Sequence, residues 1–163
     1  MVQGDAVTNG LQYMEKGLEL WSNLGSKLML PTFFIFISEA HGKAGHIDEG
    51  LALLDQANTI MQDTGERTYG TELYRRQGEL LLRKDNHQTE AENKFQKALE
   101  IARIHNARSW ELRAAVSLSR LWMNQDKLTE ARVLLSGIYN WFTEGFDTPD
   151  LQEAKALLDQ LAA

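Results

Sequence analysis

The 163-residue chain contains no cysteine. Disulfide staples, thiolate-bound metals and a cysteine nucleophile are thereby excluded, and the absence matches what a reducing compartment such as the cytoplasm leads one to expect. Proline is nearly as scarce, with only Pro31 and Pro149, both near the start of a helical pattern. Basic runs are missing too. None is longer than Arg75-Arg76, and the formal net charge is −6 with both signs interspersed, so there is no basic face of the kind that neutralises phosphates in a nucleic-acid binder. No stretch approaches the roughly 20 apolar residues that cross a bilayer, and no basic segment leads into an apolar one as in a secretory signal. Neither nucleic acid nor membrane is expected as a partner.

Chemistry-bearing motifs are equally absent. The chain has neither a Walker A loop nor Gly-x-Gly-x-x-Gly. The nearest approach, Gly42-Lys43-Ala44-Gly45, lacks the following Ser or Thr and falls in a turn. His41 and His46 stand five apart, where a zinc hydrolase needs histidines four apart beside a glutamate. With His87 and His105 at the ends of a helical segment, the four histidines read as ordinary surface residues. Glu39, Glu79 and Glu111 read as solvated face residues, since acid–base work needs carboxylates that converge in a cleft. No catalytic, cofactor or metal residue is assigned, and the chain is expected not to be an enzyme.

What is present is repetition. Asp48-Glu49-Gly50, Thr89-Glu90-Ala91 and Thr129-Glu130-Ala131 share one turn, with a fainter copy at Thr8-Asn9-Gly10. The small residues Gly10, Gly50, Ala91 and Ala131 are spaced by 40, 41 and 40 positions. Four and seven positions after each come Met14 and Gly17, Leu54 and Ala57, Phe95 and Ala98, Leu135 and Ile138. Those spacings fall on one face of an α-helix. Upstream, Ser38, Gly78 and Ser119 precede the turn residues by 12, 13 and 12 positions and mark a second helix. Small side chains at both places let two antiparallel helices approach closely, so the unit is a helical hairpin.

This arrangement resembles the tetratricopeptide repeat, with a small residue in helix A and an Ala-x3-Phe-x2-Ala run in helix B. Ala91, Phe95 and Ala98 match that run, Gly78 matches the helix A glycine, and Tyr74 stands at a frequent aromatic position. The period exceeds the usual 34 residues by about six, the surplus lying after helix B. The implied fold is all-α, a TPR-like right-handed superhelix of antiparallel hairpins with a C-terminal capping helix. One repeat domain covers 1–163: a half repeat at 5–25, repeats at 30–65, 68–107 and 109–145, and a cap at 149–162. Within them, helices are expected at 30–44, 47–63, 68–84, 87–105, 109–124 and 127–143, with Ser109 as an N-cap. Thr148-Pro149-Asp150 is a strong helix start, and Leu151, Ala154, Leu157, Leu158 and Leu161 form a stripe that covers the last hairpin, as solenoid ends require. The N-terminal end has no such cap. The chain is therefore expected to be a fragment of a longer protein, or to receive the missing half from another chain. Trp21, Trp110, Trp122 and Trp141 are expected in the core.

In this architecture the A helices line the concave face. The family pattern projects Thr32, Ile35 and Glu39, then Glu72, Arg75 and Glu79, then Arg113, Val116 and Arg120 into a partner-binding groove. Two readings of the arginines stand side by side. Arg75, Arg113 and Arg120 form a patch for a carboxylate or acidic segment, or they pair internally with Glu72, Glu79 and Glu111. Ile35 and Glu39 replace the Lys and Asn of repeats that grip a chaperone C-terminus, which disfavours that ligand.

Residues 72–81, 109–115 and 141–148, with 150–155, are also similar to the C-terminal repeat region of large bacterial signalling proteins. There a class III nucleotide cyclase or DNA-binding activator domain precedes a regulatory ATPase module. The resemblance implies a sensor or docking arm without catalysis. The expected function is a protein–protein interaction scaffold that binds a protein or peptide segment, including upstream domains of a parent chain. The alternatives are a homodimer through the incomplete N-terminal repeat, with Met14, Leu18 and Trp21 at the interface, and a small-molecule sensor.

Overall fold

A computed structural model describes residues 2–25, 27 and 29–162, with side chains described from residue 9 onward; that of Thr8, in the faint first copy of the turn, lies outside the described residues. Among these residues the chain forms eight helices and no strand: α1 (Val2–Asn23), α2 (Leu30–Ala44), α3 (Ile47–Thr64), α4 (Gly70–Leu81), α5 (Gln88–Ile104), α6 (Arg108–Asn124), α7 (Leu128–Tyr139) and α8 (Pro149–Gln160). None is long and apolar enough to cross a membrane.

Left-handed backbone at fixed register folds the chain into hairpins. The turns between A and B helices place Gly45, Asn86 and Asp126 at positive φ, 41 and 40 positions apart. The turns from B to the next A do the same with Gly25, Gly65, Asn106 and Gly145. Gly, Asn and Asp are the residues that reach this conformation at least cost. The helix ends beside three of these residues close alike: His46 N–H donates to His41 O, Ala107 N–H to Ala102 O, and Lys127 N–H to Trp122 O, each at 2.9 Å. These bonds satisfy carbonyls that a helix terminus leaves open. Helix α4 stops at Leu81 and α7 at Tyr139, short of the expected 84 and 143. Their last turns tighten to three-residue bonds, Lys84 N–H to Leu81 O and Phe142 N–H to Tyr139 O. Ser109 is not the cap of α6; Ala107 holds that position. Thr148 does precede α8 in extended backbone, but its hydroxyl donates back to Gly145 O at 2.7 Å.

The hairpins α2–α3, α4–α5 and α6–α7 close on small residues. A methyl group at Gly78 would sit 2.5 Å from the Phe95 ring, so the ring rests directly on the α4 backbone. Ser119 Oγ donates across its hairpin to Ala131 O at 3.2 Å. Two apolar clusters result. Leu30, Phe34, Ile35, Leu54, Ala57, Met61, Leu73 and Leu80 form the N-terminal one. The larger C-terminal one is built on Phe95, Leu112, Leu118, Leu121 and Leu135 and takes in Leu151, Ala154, Leu157 and Leu161 of α8. Leu51 and Tyr74 pack against both clusters. Trp21, Trp110 and Trp122 are half-buried, whereas Trp141 is 56% exposed with the Arg108 guanidinium over its ring. The expectation of core packing fails at Trp141, because α7 ends two residues earlier and releases it to the surface.

Candidate partner-binding groove

Helices α2, α4, α6 and α8 lie in succession, each touching the next. Along the side they share runs a polar cavity of about 360 Å³, lined by Arg75, Arg76, Glu79, Arg113, Val116, Ser117, Arg120, Asp150 and Glu153. Five of the residues projected from sequence meet here: Arg75, Glu79, Arg113, Val116 and Arg120. Glu39 lines a smaller adjoining cavity that shares Arg76 and Glu79. Glu72 sits behind Arg75, buried. Thr32 and Ile35 do not reach the groove: both are buried, and Ile35 belongs to the N-terminal core.

Each arginine of the groove carries a carboxylate. Arg75 is sandwiched on α4: its Nε and Nη2 donate to Glu72 at 2.9 and 2.7 Å, and its Nη1 bonds Glu79. Arg76 donates to Glu79 at 2.9 Å and reaches Glu39 of α2 at 2.6 Å, where Lys43 also binds at 2.8 Å. Ser117 of α6 donates to Glu79 at 3.3 Å. Arg113 and Arg120 cross to α8, binding Asp150 at 2.7 Å and Glu153 at 2.6 Å. The reading of internal pairing thus describes this structure, with partners that only partly agree. Glu111 faces away and binds Arg103 and Arg108, both at 2.8 Å.

Burial at Glu39 and Glu72 works against their charged forms, but neighbouring cations outweigh it. Lys43 and Arg76 hold the Glu39 carboxyl below its usual value, and Arg75, with Arg76 and Arg113, does the same for Glu72. The Arg75 guanidinium, whose burial disfavours charge, is kept protonated by Glu72 and Glu79. Arg75 is therefore spent on structure. Arg113 and Arg120 differ: their side chains are 42% and 52% exposed, and a guanidinium is a planar fork of donors that suits a carboxylate.

The comparisons with solved structures fit this geometry. The fold is that of tetratricopeptide-like repeats. Two crystal structures align with 98% of this chain at TM-scores of 0.70 and 0.69 and 17% identity; both are of the nearly identical TPR-like repeats of a Podosopora anserina protein described as a putative kinesin light chain, the first in a variant form. In both, 87% of the other chain is covered. No protein-family model and no curated protein matches the sequence.

Sequence reasoning missed Arg76, Ser117, Asp150 and Glu153. The signal was present as a step of 37: Glu39, Arg76, Arg113 and Asp150 follow one another at that interval, and the first and last pairs are bonded. It becomes visible once α8 is treated as another A helix rather than as a cap alone. Of the histidines, His41 departs from the expected surface position, whereas His46 and His105 are exposed. His41 is buried, with Nε2 3.2 Å from Glu15 of α1. His87 Nδ1 lies 3.1 Å from Glu90. Among the described residues no three His, Asp or Glu side chains gather as a metal site would require.

Proposed function

We propose that this chain is a non-catalytic scaffold that binds a protein segment in the groove between α4, α6 and α8. The observation that carries the reading is the half-exposed state of Arg113 and Arg120 on the wall of the groove, each bonded to a carboxylate of α8. A segment bearing Asp or Glu can share those guanidinium groups bidentately while backbone groups of the segment reach Ser117 and Glu79. Val116, flush with the floor, offers a small apolar contact between them. Binding by a stack of A helices is also what the TPR-like fold suggests. We propose in addition that the chain acts in the cytoplasm as the docking arm of a bacterial signalling protein, on the resemblance of residues 72–81, 109–115 and 141–148, with 150–155, to such regions.

The test is affinity capture with the native chain and an Arg113→Gln/Arg120→Gln double variant. These exposed ion pairs contribute about 0–1 kcal/mol each, so the variant keeps its fold, which circular dichroism checks. A partner held by the native chain and lost by the variant supports the groove. One held equally by both places recognition elsewhere and removes the proposal.

A further inference from the structure

A cavity of about 300 Å³, separate from the groove, lies where α3, α4 and α5 meet beside the turn that precedes Gly70. The repeat register shows what stands at the same place one repeat later. The turn residues Gly65 and Asn106, both at positive φ, are 41 positions apart, as are Tyr69 and Trp110, whose rings pack together. At the same step Gln62 corresponds to Arg103, Arg67 to Arg108 and Gly70 to Glu111. From α5 to α7 the step is 40, so Ile101 corresponds to Trp141. In the later repeat these residues form one cluster. Arg103 and Arg108 both bind the Glu111 carboxylate at 2.8 Å, and the Arg108 guanidinium lies 5.1 Å from the centre of the Trp141 ring.

In the earlier repeat the cluster is incomplete. Gly70 supplies no carboxylate and Ile101 no aromatic ring. Arg67 is exposed, and among the described residues its side chain has no hydrogen bond or ion pair. Nothing local requires the glycine. Its φ lies outside the left-handed region, and a methyl group there would meet Ile101 at 3.5 Å and Met61 at 3.8 Å, ordinary contact distances. Two further differences add polar groups. Glu66 stands in place of Ala107 and, among the described residues, has no ion pair. Asn58, half-buried, stands in place of the buried Leu99. Lys97 on the rim is bound to Glu100 at 2.8 Å, while Met61, Leu73 and Ile101 supply apolar lining. An apolar hollow with a few placed polar groups is the usual build of a small-molecule site, and about 300 Å³ is the small end of that range.

We propose that this cavity binds a free aromatic α-amino acid, which supplies what the later repeat builds from its own side chains. The ligand carboxylate takes the role of Glu111, between the Arg67 guanidinium and the Gln62 amide. The ring takes the role of Trp141, on the Ile101 side and against the face of the same guanidinium. The ammonium meets Glu66, a charge with no counterpart in the later repeat. A simple anion would face Glu66 as well as Arg67, and a simple cation the reverse; a zwitterion satisfies both. An aromatic residue inside a longer chain carries neither charge, so the unpaired Glu66 and Arg67 favour the free amino acid over a protein segment.

Isothermal titration of the 163-residue chain with L-tryptophan tests this. The expected result is saturable one-to-one binding. Indole-3-propionate, which lacks the ammonium, should bind about tenfold more weakly, and N-acetyltryptophanamide, which keeps the ring without either charge, more weakly still. Arg67→Gln should raise the tryptophan Kd about tenfold or more. Gly70→Glu builds the carboxylate of the later repeat beside Arg67 and should abolish binding. An acidic residue suits the first turn of a helix, so that variant should keep its helicity and lose nothing in Tm. Arg113→Gln/Arg120→Gln should bind tryptophan like the native chain, which separates this site from the groove. Absence of binding at about 10 mM tryptophan, where a Kd of about 1 mM would show, overturns the proposal. So does binding that survives both substitutions, or either analogue binding as tightly as tryptophan.

Discussion

Gly78 and Phe95 show how much of this fold rests on single side chains. The Phe95 ring is fully buried and lies where a Cβ at position 78 would be. Phe95→Ala should cost about 3–5 kcal/mol, read from urea unfolding. Gly78→Ala should cost about 1–3 kcal/mol by overpacking, despite the better helix propensity of alanine. The two changes should be strongly non-additive, since removing the ring makes room for the methyl group. Charge acts at the same scale. Glu39 and Glu72 both have carboxyl values held below the usual 4.5. Between the lowered value and 4.5 the unfolded chain binds more protons than the folded one. Stability contributed by these groups is therefore complete above 4.5 and is lost as pH falls through the lowered values. Thermal unfolding followed at decreasing pH should show Tm dropping in that window. Glu72→Gln should start from a lower Tm and drop less steeply.

Helices and turns obey the same register with different chemistry. Gly45 and Gly65 satisfy the left-handed turn position without penalty, while Asn86, Asn106 and Asp126 meet it with side chains present. Asn106→Ala should destabilise by about 1 kcal/mol, whereas Asn106→Gly should leave stability near native; a chemical-denaturation series separates the two. The helices were legible in sequence because the buried pairs Leu54-Ala57, Phe95-Ala98 and Leu135-Ile138 recur with small residues opposite them. The groove was legible in part. Arg75, Arg113 and Arg120 follow from the repeat pattern that the chain resembles, but Ile35 was misplaced because that pattern gives the face of a helix and not how deeply a neighbour covers it. In α2 that face turns into the N-terminal core. The acidic half of the groove escaped because Asp150 and Glu153 belong to a helix whose apolar stripe, Leu151 to Leu161, announces a cap and conceals its other side.

At the scale of the whole molecule, the joints between successive A helices are largely electrostatic on the groove side. Glu39–Arg76 joins α2 to α4, Ser117–Glu79 joins α4 to α6, and Arg113–Asp150 with Arg120–Glu153 joins α6 to α8. The B helices behind them pack on the A helices through the two apolar clusters, which salt does not screen, with polar ties such as Gln77–Asp55 and Trp122–Glu92 beside them. Such a stack is a spring whose inner edge is tuned by ions. Raising ionic strength should relax the inner edge first, and small-angle scattering should record a larger radius of gyration before any loss of helicity. A bound carboxylate that takes Arg113 or Arg120 from α8 acts on the same joint. Occupancy of the groove would then change the curvature of the stack itself, so that a ligand seated at the last two hairpins is felt as a change of pitch along the coil.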